Sequence, residues 1–356
     1  MLNHVTPLLG KTLQELQAIA QEVGLPRFAG KQLAEWIYTR RATSFDEMTN
    51  ISLKGREALK ERYTVGRYAP TAEAISKDGT KKYLWTLPDP PFEGGSSSPL
   101  KGRLGRVIES VYIPDDDRAT LCVSTQAGCK MGCKFCMTGT LGFHGHLTAA
   151  DILNQIFSIP DADKLTNIVY MGEGEPMDNL DNVLRSLDVM TSPWGCAWSP
   201  KRITVSTVGV LPGLERFIKE SDCHLAISLH NPFAIERQEI MPIEKVNHLS
   251  DVIALLKQYD WSHQRRVSFE YICWGGVNDT PKHANELLRE LKGLNCRINL
   301  IRFHAGVDNA FHSSDERQME WLRDYLTDHG ITTTIRRSRG EDILAACGML
   351  VNSLKK

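Results

Sequence analysis

Three thiols fall within eight residues of this 356-residue chain, in the run Cys129-Lys-Met-Gly-Cys133-Lys-Phe-Cys136. Gly128 and Gly132 lie in the same stretch, and residues without a Cβ let a loop wrap closely around whatever the sulfurs hold. A closed structural zinc site wants a fourth protein ligand, and no second cysteine pair at ribbon-like spacing stands nearby. Three thiolates suit a cubane iron–sulfur cluster with one iron left open, where a ligand can bind and receive an electron.

The remaining cysteines divide. The chain has nine, an odd number, and shows no leader, so a disulfide framework is not expected and a cytoplasmic protein is. Cys196, Cys223, Cys273 and Cys296 stand singly beside apolar or turn residues and read as small buried hydrophobes. Taken alone, Cys122 inside an apolar run and Cys347 after two alanines would read the same way. No apolar run is long enough to span a membrane. With 42% hydrophobic residues the chain can bury a sizeable core, and its net charge of −1 says nothing for or against an anionic partner. Charge is unevenly placed, however: residues 51–106 carry eleven Lys and Arg against six acids. That suits a nucleic acid, or simply a solvated basic face.

The elements that position these residues follow from periodicity. Leu13, Leu16, Ile19, Ala20 and Val23 share one helical stripe, opened by a Thr12-to-Glu15 capping box and closed at Gly24. A second helix is expected through Leu33, Trp36 and Ile37, and a third from Leu53 to Tyr63. Lys77-Asp78-Gly79-Thr80 reads as a hairpin turn before a strand at Tyr83–Leu87, and Gly94–Pro99 as a flexible loop. From about residue 105 short apolar strands alternate with amphipathic helices. Strands are expected at 119–125, 167–171, 202–206, 224–229, 266–272 and 297–301, with helices at Asp178–Met190 and Leu249–Tyr259 between them. Such alternation predicts an α/β fold, a parallel sheet covered by helices, open or curved into a partial barrel. Chemistry then belongs at the carboxyl ends of the strands, and the cysteine run, Met171-Gly-Glu-Gly-Glu-Pro176, Ser206-Thr-Val-Gly209 and Ser228-Leu-His230 each follow one.

The three-cysteine spacing followed by MGEGEP resembles radical S-adenosylmethionine enzymes. VYIPDDDRATLCVSTQAGCKMGCKFC, ITVSTVGVLP, LAISLH and RRSRGEDILAACG together resemble the RlmN-type RNA adenosine carbon-2 methyltransferases, from the helical front end to the last residues. The resemblance implies a partial (β/α)6 radical-SAM barrel at residues 116–340 with a small N-terminal helical RNA-binding domain at 1–70. A β-rich connector at 71–115 and a C-terminal segment at 341–356 complete it. It implies a [4Fe-4S] cluster on Cys129, Cys133 and Cys136, and two S-adenosylmethionine molecules per turnover. The reduced cluster then cleaves the cofactor to a carbon radical that abstracts a hydrogen atom. Cofactor contacts implied by position are Gly174, Glu175, Ser206, Ser228, Leu229 and His230. His304 stands where the family usually has asparagine, as a hydrogen-bonding partner for an adenosine.

The resemblance also gives the lone cysteines work. Carbon 2 of adenine lies between two electron-withdrawing nitrogens and has no electron pair with which to displace a methyl group. The family first places the methyl on a cysteine, here Cys347, and Cys122 later releases the product by forming a disulfide with it. A glutamate removes the ring proton; the match is Glu109. Strand alternation puts it with Val107, Val111 and Ile113, facing an apolar interior where burial would raise its pKa. The implied partners are 23S ribosomal RNA, transfer RNA, and an electron donor such as a flavodoxin or ferredoxin, with no membrane and a monomeric chain. The basic segment 51–106, the N-terminal helices, and Arg336, Arg337 and Arg339 would grip RNA. Three readings remain open at this point: a Cfr-like carbon-8 methyltransferase, a radical enzyme acting on a small molecule, and an RNA-binding protein with a structural metal.

Overall fold

A computed structural model describes residues 6–87, 107–262, 266–304 and 311–350. The Gly94–Pro99 loop and Lys101, Arg103 and Arg106 of the basic segment lie outside these.

The front end is helical, as periodicity predicts. The helix Leu13–Glu22 carries the expected capping box and ends before Gly24 in the left-handed region. Ala29–Ala34 follows and continues as a wider π-turn through Thr39, and Leu53–Lys60 is the third helix. Two short strands, β1 (Thr6–Pro7) and β2 (Tyr63–Thr64), tie the two ends of this segment together.

A ten-stranded sheet forms the body. Its first three strands, β3 (Ala72–Ile75), β4 (Lys81–Thr86) and β5 (Val107–Pro114), are antiparallel. β6 (Ala119–Cys122) pairs antiparallel with β5 on one side, Val111 facing Cys122, and parallel with the strand Asn167–Tyr170 on the other. Between β6 and that strand a two-stranded antiparallel pair, β7 (Gln126–Gly128) and β8 (Phe143–His146), brackets the cysteine run. β9 (Asn167–Tyr170), β10 (Ile203–Thr207), β11 (His224–Ser228), β12 (Val267–Cys273), β13 (Cys296–Arg302) and β14 (Thr332–Ile335) continue in sequence order, all parallel. The six expected barrel strands are all present, and β14 is a seventh. Helices such as Ala149–Phe157, Leu180–Thr191 and Leu249–Leu256 return the chain between parallel strands.

Alternation sorts the two faces. Ile168, Tyr170, Ile203, Val205, Leu225 and Ile227 are buried against the helices, while Asn167, Val169, Met171 and Thr204 line the barrel interior. The interior is therefore a polar cavity, and the main apolar core lies between sheet and helices and runs on without a break into the front helices.

Candidate active site

The cysteine loop leaves β7 at Gly128, whose φ of +68° and close approach to Gly142 exclude a side chain: a Cβ there would stand 1.9 Å from the Gly142 carbonyl oxygen. Cys136 donates its backbone N–H to the Cys133 carbonyl at 3.1 Å, folding the loop back on itself. Cys136 raises the pKa of Cys129, and Cys129 and Cys136 both raise that of Cys133. Burial is the larger cause, and it pushes Cys129 up to about 12 and Cys133 and Cys136 upward as well. Among the described residues, no group of three or more His, Cys, Asp or Glu side chains meets the geometry for a single metal ion. Three thiols on one loop, Cys133 buried and Cys129 and Cys136 half-buried, are the donor set that a cluster with one thiolate per iron requires, and its irons would supply the positive charge that turns thiols into thiolates.

Two cavities meet at this loop. The smaller, about 140 Å³, is lined by Gly174, Glu175, Ser206, Ser228 and His230 together with Cys136. Five of the seven residues expected to hold the cofactor are thus on one wall. Gly174 has φ +95°, and a Cβ would meet Gln126 at 2.4 Å. Glu175 is buried, accepts from Met177 N at 3.0 Å, Thr207 Oγ1 at 2.5 Å and Val208 N at 2.9 Å, and is pushed by burial up to about 7 despite these bonds. His230 adopts φ +56°, and burial lowers it to about 3. Its Nδ1 accepts from Ile272 N at 3.1 Å, which puts the proton of the neutral ring on Nε2. Its ring stands edge-on to Phe135 of the cysteine loop.

The other two of those seven do not line this cavity. Leu229 is fully buried in the main core: next to inward-facing Ser228, alternation turns it the other way, and only its backbone serves the loop, accepting from Arg237 Nε at 3.0 Å. His304 lines the larger cavity instead, with Nε2 2.6 Å from Ser338 Oγ and Nδ1 3.1 Å from Glu341.

The larger cavity, about 900 Å³, holds both lone cysteines, Cys122 on β6 and Cys347, with Cys136 and Met171 beside them. Cys347 is exposed and lines this cavity. Burial raises both thiols, Cys122 to about 12, and each feels the Arg336 guanidinium, which acts in the opposite direction. Arg336 itself donates to Glu270 at 3.2 Å, and Glu270 accepts from Asn299 Nδ2 at 2.8 Å. The chain that carries Cys347 is pinned across the sheet edge. Arg339 pairs with Asp115 at 2.9 Å, Gly340 N donates to Asp78 at 3.0 Å, and Asp342 accepts from Ser76 and Lys77. The RGED run pins this segment in place, and Arg336, Arg337 and Arg339 all line the larger cavity.

Glu109 lies on the expected face of β5 but in unexpected company. Lys82 of β4 is 3.0 Å away, and both side chains are fully buried. The purely apolar surround is therefore corrected: antiparallel β4 brings an ammonium group onto the same face. Glu109 is two residues from Val111, the partner of Cys122, toward the end of the barrel where the cysteine loop lies. Its backbone N donates to Glu173 at 2.8 Å and its carbonyl accepts from Ser124 at 2.5 Å. Glu173 also accepts from Gly128 N at 3.3 Å, joining β5 to the cysteine loop. Neither Lys82 nor Glu173 was singled out from sequence; their roles depend on strand register, which no local signal gives.

Much of the basic segment is likewise engaged within the protein. Lys60 pairs with Asp46 and Glu57, Arg62 with Glu22, Lys81 with Asp161, and Arg67 donates to backbone carbonyls.

A three-cysteine loop at the carboxyl end of the first strand of a parallel partial barrel, facing a Gly-Glu turn, defines a radical S-adenosylmethionine enzyme, and residues 123–291 match the family described as the Radical SAM superfamily. Residues 6–65 match the ribosomal RNA large subunit methyltransferase N-terminal domain. A probable dual-specificity RNA methyltransferase RlmN of Bacteroides thetaiotaomicron is 57% identical over 344 residues, 97% of this chain and 95% of that protein. The dual-specificity RNA methyltransferase RlmN of Halorhodospira halophila is 38% identical over 98% of this chain and 94% of its own. A crystal structure of a radical SAM methyltransferase from Sphaerobacter thermophilus superposes with a TM-score of 0.87 at 34% identity, covering 98% of this chain and all of that one. The chain belongs to the RlmN family of radical SAM RNA methyltransferases.

Proposed function

We propose that this protein methylates carbon 2 of one adenosine in 23S ribosomal RNA and of the adenosine beside the anticodon in certain transfer RNAs, through a methyl-cysteine on Cys347. The observation that carries the reading is the meeting of Cys122 and Cys347 in one cavity, with Cys347 also bordering the pocket of Gly174, Glu175 and His230. When bound, the cluster and two S-adenosylmethionine molecules supply the methyl group and the radical that activates it. Cys129, Cys133 and Cys136 hold the cluster. Glu175, Ser206, Ser228 and His230 orient the cofactor, Glu175 through its ammonium group.

Cys347 presents the methyl carbon at the junction of the two cavities. Once that carbon is joined to the ring, restoring the aromatic adduct requires loss of one proton and one electron: Glu109 takes the proton from carbon 2, and the electron returns to the bound cluster that supplied it. Cys122 then attacks the Cys347 sulfur, the electron pair of the carbon–sulfur bond passes to the methylene, and a proton completes the new methyl group. A Cys122–Cys347 disulfide remains for reduction. Residues 1–70 serve as an RNA-binding front domain. A flavodoxin- or ferredoxin-like protein donates electrons, and the enzyme works in the cytoplasm as a monomer; among the described residues no helix is long and apolar enough to cross a membrane.

The test is Cys122→Ala. The variant is expected to accumulate a covalent RNA–protein adduct, seen as a protease-sensitive shifted band; release of free, fully methylated RNA would contradict the mechanism. Mass spectrometry of the digested wild-type product places the methyl, and methylation solely at carbon 8 would overturn the carbon-2 assignment.

A further inference from the structure

The larger cavity does not stop at the two cysteines. Its wall includes Asn167, Thr204 and His224, the first inward-facing residues of β9, β10 and β11, and Thr204 pairs in register with His224. Arg266, immediately before β12, donates its backbone N–H to His224 Nδ1 at 3.0 Å. Lys201, before β10, completes this end, and both Lys201 and Arg266 are exposed. The cavity therefore runs the length of the barrel, with the sulfurs at the carboxyl ends of the strands and cations at the amino ends. From Asn167 to Met171 is four strand residues, roughly 13 Å. The acids on the cavity wall, Asp115 and Asp116, lie across from these cations on the β5–β6 turn, and Asp115 is held by Arg118 and Arg339. Arg297, on the neighbouring strand, is held below its ordinary pKa by burial and by Arg266, so positive charge crowds at this end.

We infer that the amino-end mouth of the barrel is the RNA entrance, and that Lys201 and Arg266 clamp the phosphates flanking the target adenosine while its base extends inward to Cys347. This rests on RNA being the substrate. It also answers where a grip lies, since most of the described basic residues of the front segment are paired within the protein. An unstacked nucleotide threaded base-first brings its backbone to the mouth, and cations there neutralise it at the point where the strand turns inward.

The test uses the full-length, cluster-reconstituted protein and a hairpin RNA carrying the target adenosine in its loop. Binding is measured by fluorescence anisotropy between 50 and 300 mM salt. For Lys201→Ala/Arg266→Ala the expected result is about a tenfold or greater loss of affinity and a salt slope shallower by roughly 1.4, two phosphate contacts on a single strand. Replacing the two phosphates flanking the adenosine with methylphosphonates should weaken wild-type binding by a similar factor and leave the double variant nearly unaffected. Lys219→Ala, on an outer helix, is the control and should bind as wild type does. Wild-type-like affinity and slope for the double variant, or equal sensitivity of both proteins to the neutral phosphates, would overturn the entrance assignment while leaving the RNA reading intact. Failure of the wild-type protein to bind any RNA would overturn the RNA reading, and the entrance with it.

Discussion

Lys82 and Glu109 show how far a residue's surroundings can depart from what its own strand suggests. Alternation within β5 correctly turns Glu109 inward, but the lysine beside it comes from β4, and only the β4–β5 register brings the two onto one face. Removing one partner of a fully buried ion pair leaves the other charge without its countercharge, so Lys82→Met should lower unfolding stability by about 3–5 kcal/mol. Lys82→Met/Glu109→Leu should recover most of that; both are read from urea denaturation midpoints. Glu175 makes a pH-dependent prediction. Its carboxyl titrates near 7 in the fold and near 4.5 when unfolded, so across that window the unfolded chain gives up its proton first. Stability contributed by this group is thus full below pH 4.5 and lost as pH rises to 7, by at most about 3 kcal/mol. Glu175→Gln should flatten this part of the stability–pH curve of the cluster-free protein; an unchanged slope would show that another group sets it. Gly174, Ser206, Ser228 and His230 were legible because each follows an expected strand. Leu229 and His304 do not line the smaller cavity, because position in a motif does not say which way a side chain turns.

At the scale of elements, legibility tracked apolar content. Five of the six strands with Val, Ile or Leu alternation match to within one residue at each end and β6 stops three residues short of the expected 125, whereas β14, Thr-Thr-Thr-Ile, has no apolar run to mark it and is recognised only by its pairing with β13. β7 and β8 were hidden for a different reason: Gln-Ala-Gly and Phe-His-Gly-His carry no strand pattern, and they pair because the cysteine loop must close on itself. That closure depends on Gly128. Its left-handed backbone and the approach of Gly142 leave no room for a methyl group, so Gly128→Ala must push β8 away from β7. The barrel strands do not rely on this pair, so the variant should keep its far-ultraviolet circular dichroism. Iron incorporation after anaerobic reconstitution should fall severalfold, measured from iron and sulfide content and the absorbance of the cluster. Wild-type iron content in a folded Gly128→Ala protein would show that the loop tolerates an opened β7–β8 pair.

Over the whole molecule, the front helices and the barrel form one mechanical unit, something composition could not reveal. The main core runs from Leu16 and Leu33 into Phe157 and Leu187 without interruption. Polar contacts cross the same boundary: Arg185 with Glu15 at 2.8 Å, Thr39 with the Gly195 carbonyl at 3.3 Å, and Tyr68 N with Asn154 at 2.9 Å. Arg67 is central among them. Its guanidinium donates to the Arg41 and Phe157 carbonyls and to Ser158 Oγ, which places a cation at the carboxyl end of the helix Ala149–Phe157. There it satisfies a terminal carbonyl and complements the helix dipole. Burial, with Arg41 beside it, holds Arg67 below its ordinary pKa, a cost that these bonds and the carboxylates of Glu47 and Asp163 offset. Arg67→Ala should therefore cost about 3 kcal/mol, and the loss should appear on both sides of the boundary. In hydrogen exchange followed by mass spectrometry, amides of the front helix Leu13–Glu22 and of Ala149–Phe157 should lose protection together and by a similar factor, because neither surface is stable when uncovered. Faster exchange confined to the front helices would instead mean that they open as a separate unit while the barrel stays intact.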